Sequence, residues 1–388
     1  MGKAKVSFVA ALVALSFCEI AHAAEVKVAP YGVTKDGRAV TAYTLLNDKG
    51  ASATILDFGG AIAAVRVPDR NGKLGNVVMS FADMAGWEAI GHANSTLGRL
   101  AQRVRGGFTL DGVYYKMQVG ANGVVNHSGP PSFATRMWNV EPIRKQDGAA
   151  VTLSLLSPDG DQGLPGEMKI KITYSFSNDN ALRLDYVATT NKPTVVNLTN
   201  HIYFNLKDGG ETPVFDHVLQ MEADRYAVKD PDGVPMGPLQ SVIGTPLDFL
   251  KPTAIGARMA LARDPAFASA ATAPPVPEGM VRSYDNSLTL KDSAIGLDKV
   301  AVRLSEPVSG RVVEIKTTEP SLQFFTAATG RAGFLNDAGK PFSALGPAVA
   351  IETQHLPNSP NRPDFPSVVL RPGETFRSST IMAFSVAK

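Results

Sequence analysis

Phe108-Thr-Leu-Asp-Gly-Val-Tyr-Tyr-Lys-Met-Gln-Val119 is the stretch that decides the class of fold. Two runs suited to strands flank Asp111-Gly112, a pair that favours the tight turn of a β-hairpin because both central residues need positive φ. The same texture extends in both directions. Val40–Leu46 runs into the turn Asn47-Asp-Lys-Gly50; Ser52–Phe58 follows and stops at Gly59-Gly60; Ala63–Val67 ends at Pro68-Asp-Arg-Asn-Gly72. Further on, Val151–Leu156, Met168–Ser175, Leu182–Thr189, Leu288–Leu290, Val300–Leu304, Arg311–Thr317, Leu322–Thr326 and Ser378–Phe384 read as strands. Helical signals are confined to Phe81–Ala89 and Leu250–Arg258. The reading is an all-β protein of two large packed sheets.

Composition agrees. With 35 Gly and 27 Pro the chain is punctuated like a protein of short strands, and 44% hydrophobic residues is too much for a disordered one. A formal charge of +2, with basic residues scattered, excludes a phosphate-tracking surface, so no nucleic-acid partner is expected. Ala262–Pro277 is rich in Ala and Pro but has the same β texture on either side. It reads as an exposed loop, which makes residues 24–388 one domain.

Residues 1–23 read as a signal peptide: Met1-Gly-Lys-Ala-Lys5, an apolar run from Val6 to Cys18, then Ala21-His-Ala23 as the cleavage site. Export across a bacterial inner membrane, most simply to the periplasm, is the expectation, with no membrane anchor after cleavage. Cys18 is the one cysteine, so the mature chain has no disulfide, thiol catalyst or thiolate metal site. No tight His-x-x-x-His spacing calls for a metal, and no Gly-x-Gly-x-x-Gly precedes a helix, so no cofactor is expected.

Chemistry is sought where polar groups interrupt apolar runs. Val195-Val-Asn-Leu-Thr-Asn-His-Ile-Tyr-Phe-Asn-Leu206 delivers Asn197, Thr199, Asn200, His201, Tyr203 and Asn205 within a strand-like segment, which suggests a lined pocket. Ala348-Val-Ala-Ile-Glu-Thr-Gln354 ends an apolar strand in a carboxylate; alternation puts Val349 and Ile351 on one face and Ala350, Glu352 and Gln354 on the other. A carboxylate in that setting is a candidate general base of raised pKa. His127 lies in a loop before Ser128-Gly-Pro-Pro131, and Asp285 precedes an apolar segment. In Gly98-Arg-Leu-Ala-Gln-Arg-Val-Arg105 an extended backbone would put Arg99, Arg103 and Arg105 on one face, and a helix only Arg99 and Arg103.

Several of these pieces, in this order, resemble the aldose 1-epimerase (galactose mutarotase) family. The resemblance rests on Thr199-Asn-His-Ile-Tyr-Phe-Asn-Leu206, Ile351-Glu-Thr-Gln-His-Leu-Pro-Asn-Ser-Pro360, Gly310-Arg-Val-Val-Glu-Ile-Lys-Thr-Thr-Glu-Pro320 and Gly244-Thr-Pro-Leu-Asp-Phe249. It implies a β-supersandwich with an open sugar cleft and an isomerase that interconverts the α and β anomers of a free hexose such as glucose or galactose. Carried over by motif, Glu352 is the catalytic base and His201 the acid. Arg103, His127, Asp285 and Gln102 bind the sugar, with Tyr203 or Phe324 against its apolar face. The expected partner is a monosaccharide, and the chain a monomer or weak homodimer. Departures are Gln102 for the usual Asn, Ser128 for a usual Gly, and Tyr284 and Asn286 for Phe and His around Asp285. The rival readings are a glycoside hydrolase using Glu352 and Asp285 as paired carboxylates, a non-catalytic sugar-binding protein, and an enzyme of phosphorylated hexoses.

Overall fold

The structure, a computed structural model, describes residues 24–259, 283–327 and 333–387. The leader read at 1–23 and the Ala262–Pro277 loop lie outside the described residues. Among those described, every strand pair in the named sheets is antiparallel, and three sheets carry the fold. A five-stranded meander runs in chain order from Glu25–Val33 to Leu74–Asn76. A nine-stranded sheet begins Asn139–Arg144, Ala149–Ser157, Met168–Phe176, Ala181–Thr190 and then takes in the last strand, Phe376–Val386, before Arg311–Thr317. A six-stranded sheet has the order Tyr203–Phe204, Val349–Gln354, Ser321–Thr326, Asp285–Leu290, Ala223–Lys229, Pro235–Ser241.

The hairpin is as read: Gly107–Leu110 pairs with Val113–Lys116, and Asp111 and Gly112 both have positive φ (51° and 80°). The second strand stops at Lys116, short of the expected Val119, because its partner strand begins at Gly107, the residue opposite Lys116. The first helix spans Met84–Ile90, capped by the Asp83 side chain on the Gly86 N–H and ended by Gly91 at φ 68°. The second expected helix is reduced to Ile255–Met259, since Thr253–Ala254 is drawn into the large sheet beside Val218–Met221.

A single apolar layer joins the sheets. Leu45, Ile55 and Val65 of the meander meet Val151, Ile170 and Leu184 of the large sheet and Val349, Ile351, Leu322, Phe324 and Leu288 of the six-stranded one, all fully buried. Burial of this kind is worth roughly 1.5–3 kcal/mol for each large aliphatic side chain. The pleat therefore turns the alternate residues, Glu352, Gln323, Ser287 and Asp285, to the other face of the six-stranded sheet, with Gln323 paired to Glu352. That face carries the candidate site.

Candidate active site

Glu352 is not on an edge. Its strand lies between Tyr203–Phe204 and Ser321–Thr326, and the side chain is 0% exposed. Oε1 accepts a hydrogen bond from Gln102 Nε2 at 2.9 Å and lies 3.4 Å from His201 Nε2. Oε2 has no hydrogen-bond partner among the described residues. Burial pushes the Glu352 carboxyl up to about 8; the Gln102 hydrogen bond and Arg103 oppose that rise, while Asp285 adds to it. Burial likewise pushes His201 well below its ordinary value, helped by His92, His127 and Arg103.

The two shifts describe one object. Loss of the last proton from the pair falls near 8, and gain of a second falls well below the ordinary histidine value of 6.5. Between these limits the dyad holds a single proton, which can sit on the carboxyl or on the imidazole. At 3.4 Å the contact is longer than a good hydrogen bond and leaves the pair able to engage a third group.

The segment around His201 is three two-residue bridges rather than one strand: Thr194–Val195, Thr199–Asn200 and Tyr203–Phe204. Its polar residues do not all line a pocket. Asn197 exchanges hydrogen bonds with the backbone of His355, Thr199 Oγ1 donates to Thr353 O, and Asn205 donates to Thr212 O and Pro347 O. They bolt the His201 segment to the Glu352 strand by giving irregular buried backbone its partners. His201 is left beside Tyr203, whose ring stacks on it at 4.7 Å and 17°. The aromatic expectation at Phe324 is corrected by the pleat. Phe324 points into the core against Phe249 and Tyr284, and its neighbour Phe325 stands edge-on to His201 at 6.0 Å.

Gln102 and His127 hold each other. The Gln102 N–H donates to His127 Nδ1 at 3.1 Å, and the His127 N–H donates to Gln102 O at 3.0 Å. An accepting Nδ1 puts the proton of the neutral ring on Nε2, so His127 presents an N–H donor. Both residues and Ser128 have positive φ (59°, 50° and 65°), a backbone region that costs a non-glycine residue about 1 kcal/mol. Ser128 offsets part of that cost. Its hydroxyl accepts from the Leu100 N–H at 2.7 Å and donates to Leu100 O at 3.1 Å, which accounts for a serine where glycine is usual.

Arg103 pairs with Asp285 Oδ2 at 2.9 Å, and Gln323 Nε2 donates to Asp285 Oδ1 at 2.6 Å. Arg105 turns to Asp230 and Asp232. Arg99 leaves the arginine face altogether and is fully buried in the scaffold behind the site. Tyr284 is core, with its hydroxyl on Pro246 O. Asn286 alternates away from the Glu352 face, and its Oδ1 accepts from the backbone N–H of Asp285 at 3.2 Å.

The structure thus brings Glu352, His201, Gln102, His127, Arg103 and Asp285 to one place. It adds two residues that sequence reasoning missed. His92 follows the Gly91 cap, and its ring lies 5.0 Å from His201 and 5.7 Å from His127. The buried Asn94 fixes that loop by donating to Ile62 O and Met79 O and accepting from the Tyr203 N–H. Gln323 was visible only as one polar residue inside Leu322–Thr326, a weak signal before the strand partners are known.

Comparison with known proteins agrees with this fold. The model of the family described as Aldose 1-epimerase matches residues 41–383. The chain is 31% identical to galactose mutarotase of Rattus norvegicus over 353 residues, covering 90% of this chain and 96% of the relative. It is 32% identical to aldose 1-epimerase of Escherichia coli (strain K12), with the same coverage. A solved aldose epimerase homologue from C. elegans superposes with a TM-score of 0.77 at 28% identity, over 90% of this chain and all of that one. The solved galactose 1-epimerase of Lactobacillus acidophilus, at 24% identity and a TM-score of 0.78 over 94% of this chain, shares the fold. A β-sandwich with a buried carboxylate–histidine pair on its polar sheet face, matched along nearly its whole length, makes this chain an isomerase of the aldose 1-epimerase family.

Proposed function

We propose that the protein interconverts the α and β anomers of free hexoses, with Glu352 as base and His201 as acid. The observation that carries the reading is the buried contact between these two side chains, 3.4 Å apart and steadied by Gln102. An anomeric hydroxyl and the ring oxygen are bonded to the same carbon, so the groups that take one proton and give another must converge on a small volume. With the shared proton on the imidazole, Glu352 accepts the proton of the C1 hydroxyl while His201 protonates the ring oxygen. The ring opens to the aldehyde, the C1–C2 bond rotates, and the same groups in exchanged roles close the ring on the other carbonyl face. His127 Nε2–H and Arg103 donate to sugar oxygens, Asp285 accepts from a hydroxyl, and Gln102 holds the carboxylate.

Polarimetry of freshly dissolved α-D-glucose and α-D-galactose tests this. Acceleration of the approach to equilibrium over buffer supports it, and a folded protein that changes neither rate refutes it. The pH profile of kcat/KM is expected to be bell-shaped. Above about 8 the dyad loses its one proton and has no acid; at low pH a second proton removes the base. Gln102→Ala deletes a hydrogen bond that favours the carboxylate, so the alkaline limb should move to higher pH. A profile fixed in position by that change would mean that Gln102 does not act through Glu352.

Residues 1–23 are proposed to be removed on export to the periplasm, leaving 24–388 as a single catalytic domain that works without a membrane anchor, as a monomer or weak homodimer. The intact mass of the exported chain tests the cleavage. Among the described residues no helix is long and apolar enough to cross a membrane.

A further inference from the structure

A buried amide stands next to the base on the same face of the sheet. Gln354 lies two residues beyond Glu352 in the strand Val349–Gln354, so its side chain leaves the sheet on the Glu352 side. It is fully buried, yet neither Nε2 nor Oε1 has a hydrogen-bond partner among the described residues, and Glu352 Oε2 shares that condition. An unmet buried amide lowers the stability of a folded protein. The polar side chains beside it are already engaged. Ser321, directly opposite, donates its hydroxyl to the Gln354 carbonyl at 2.5 Å, and Gln323, opposite Glu352, is held between Ser287 and Asp285. Register fixes the direction in which Gln354 lies. Asp285 stands opposite Phe325, which pairs with Ala350, so Asp285 and Gln354 lie on opposite sides of the Glu352 level. With its ring held at Asp285 and its C1 at Glu352, a sugar extends its exocyclic C1 oxygen toward Gln354. Side chains two apart in a strand are about 6.6 Å from one another, so one oxygen between them lies about 3.3 Å from each, and a small adjustment gives two good hydrogen bonds.

We propose that Gln354 holds the C1 oxygen of the sugar, its Nε2–H donating to that oxygen while Glu352 takes the oxygen's proton. The inference rests on the anomer-interconverting reading above and deepens it by naming a further residue that touches the reacting atoms. As the C1 hydroxyl gives up its proton it becomes the carbonyl oxygen of the open-chain aldehyde, and negative charge builds on it before the bond from C1 to the ring oxygen has broken. A donor already in place, with nothing else to bond, meets that charge without reorganisation. The charge is greater in the transition state than in the bound sugar, so the contact serves kcat more than KM. The free protein carries the penalty, because there the amide stays unmet.

The test compares the native and Gln354→Met proteins in three measurements: polarimetry of α-D-galactose, melting of the free protein, and inhibition by 1,5-anhydro-D-galactitol, which keeps the ring and lacks the C1 oxygen. Methionine keeps the length of the side chain and removes both polar ends. The variant should lose kcat by about 10–100-fold, the scale of one hydrogen bond to a charged group, with KM little changed. It should melt about 2 °C or more above the native protein, since the unmet amide is gone. Its inhibition constant for the anhydro sugar should stay at the native value. A variant that keeps its kcat overturns the inference. So does one that melts below the native protein or fails to fold, since the amide is then met within the folded chain. So does one that loses the anhydro sugar in step with kcat, which would make Gln354 a residue that shapes the ring subsite. Any of these results with an active native protein sinks this inference alone, whereas a native protein that accelerates neither galactose nor glucose sinks the anomer-interconverting reading with it.

Discussion

Glu352→Gln should lower kcat for anomer interconversion by about 10²–10⁴-fold, the range that a positioned general acid or base contributes. Glutamine keeps the size of the side chain and can keep a hydrogen bond with Gln102, but it cannot take a proton from the C1 hydroxyl. His201→Asn should fall by a similar factor, and the double variant by much less than the product, because the two groups act on one proton cycle. The same variant should show the opposite effect on stability. The folded Glu352 carboxyl keeps its proton up to about 8, whereas the ordinary value is 4.5. Folding therefore takes up a proton across that interval, and the contribution of Glu352 to stability falls as pH rises through it. Glutamine removes this dependence, so Glu352→Gln should gain stability relative to the native protein as pH is raised from 5 to about 8. Stopped-flow polarimetry and denaturant titrations at several pH values check the two halves. A variant that keeps its rate ends the assignment of Glu352 as base, and one that loses rate and stability together at pH 8 points to a structural role instead.

What the sequence made legible was whatever a local pattern can carry. Asp111-Gly112 specified its hairpin because the turn needs positive φ at both positions, and the structure has it. The alternation in Val349–Gln354 separated Glu352 from Ile351 before any partner strand was known, and burial of Ile351 in the main core agrees. Phe324 and Phe325 show where local pattern stops. Either is a plausible aromatic wall, and only the register with Asp285–Leu290 and Val349–Gln354 tells which one faces the histidines. His92 was illegible for the same reason. It sits in no distinctive run and reaches the site by tertiary placement, through a helix cap and an asparagine-braced loop. The Thr-Asn-His segment erred in the other direction. So many polar residues in a row signalled a pocket, yet most of them satisfy irregular backbone that a regular strand would have satisfied by itself.

Arg99→Met should cost about 3–5 kcal/mol of stability, the range seen when one partner is taken from a buried charged network. Spacing alone puts Arg99 in step with Arg103, but the chain separates them. The Arg103 side chain is 24% exposed and meets Asp285, whereas Arg99 is 0% exposed. Its guanidinium donates to Ser157 Oγ and to the carbonyls of Ser157, Pro158 and Pro165, and burial draws its pKa down to about 10. Methionine fills part of the volume and leaves three carbonyls without their donor. The damage should spread along the backbone, because the Asn197 N–H donates to Arg99 O, and Asn197 in turn locks His355, the residue that follows the Glu352 strand. Native stabilities are only about 5–15 kcal/mol, so the loss would take a large share of the total. The dyad itself is untouched, and kcat per folded molecule at low temperature should stay within about threefold of the native value, an effect below 1 kcal/mol. Equilibrium unfolding in urea, paired with polarimetry on the folded fraction, separates the two quantities. Unchanged stability with a collapsed kcat would mean that Arg99 acts on the reaction and not on the scaffold.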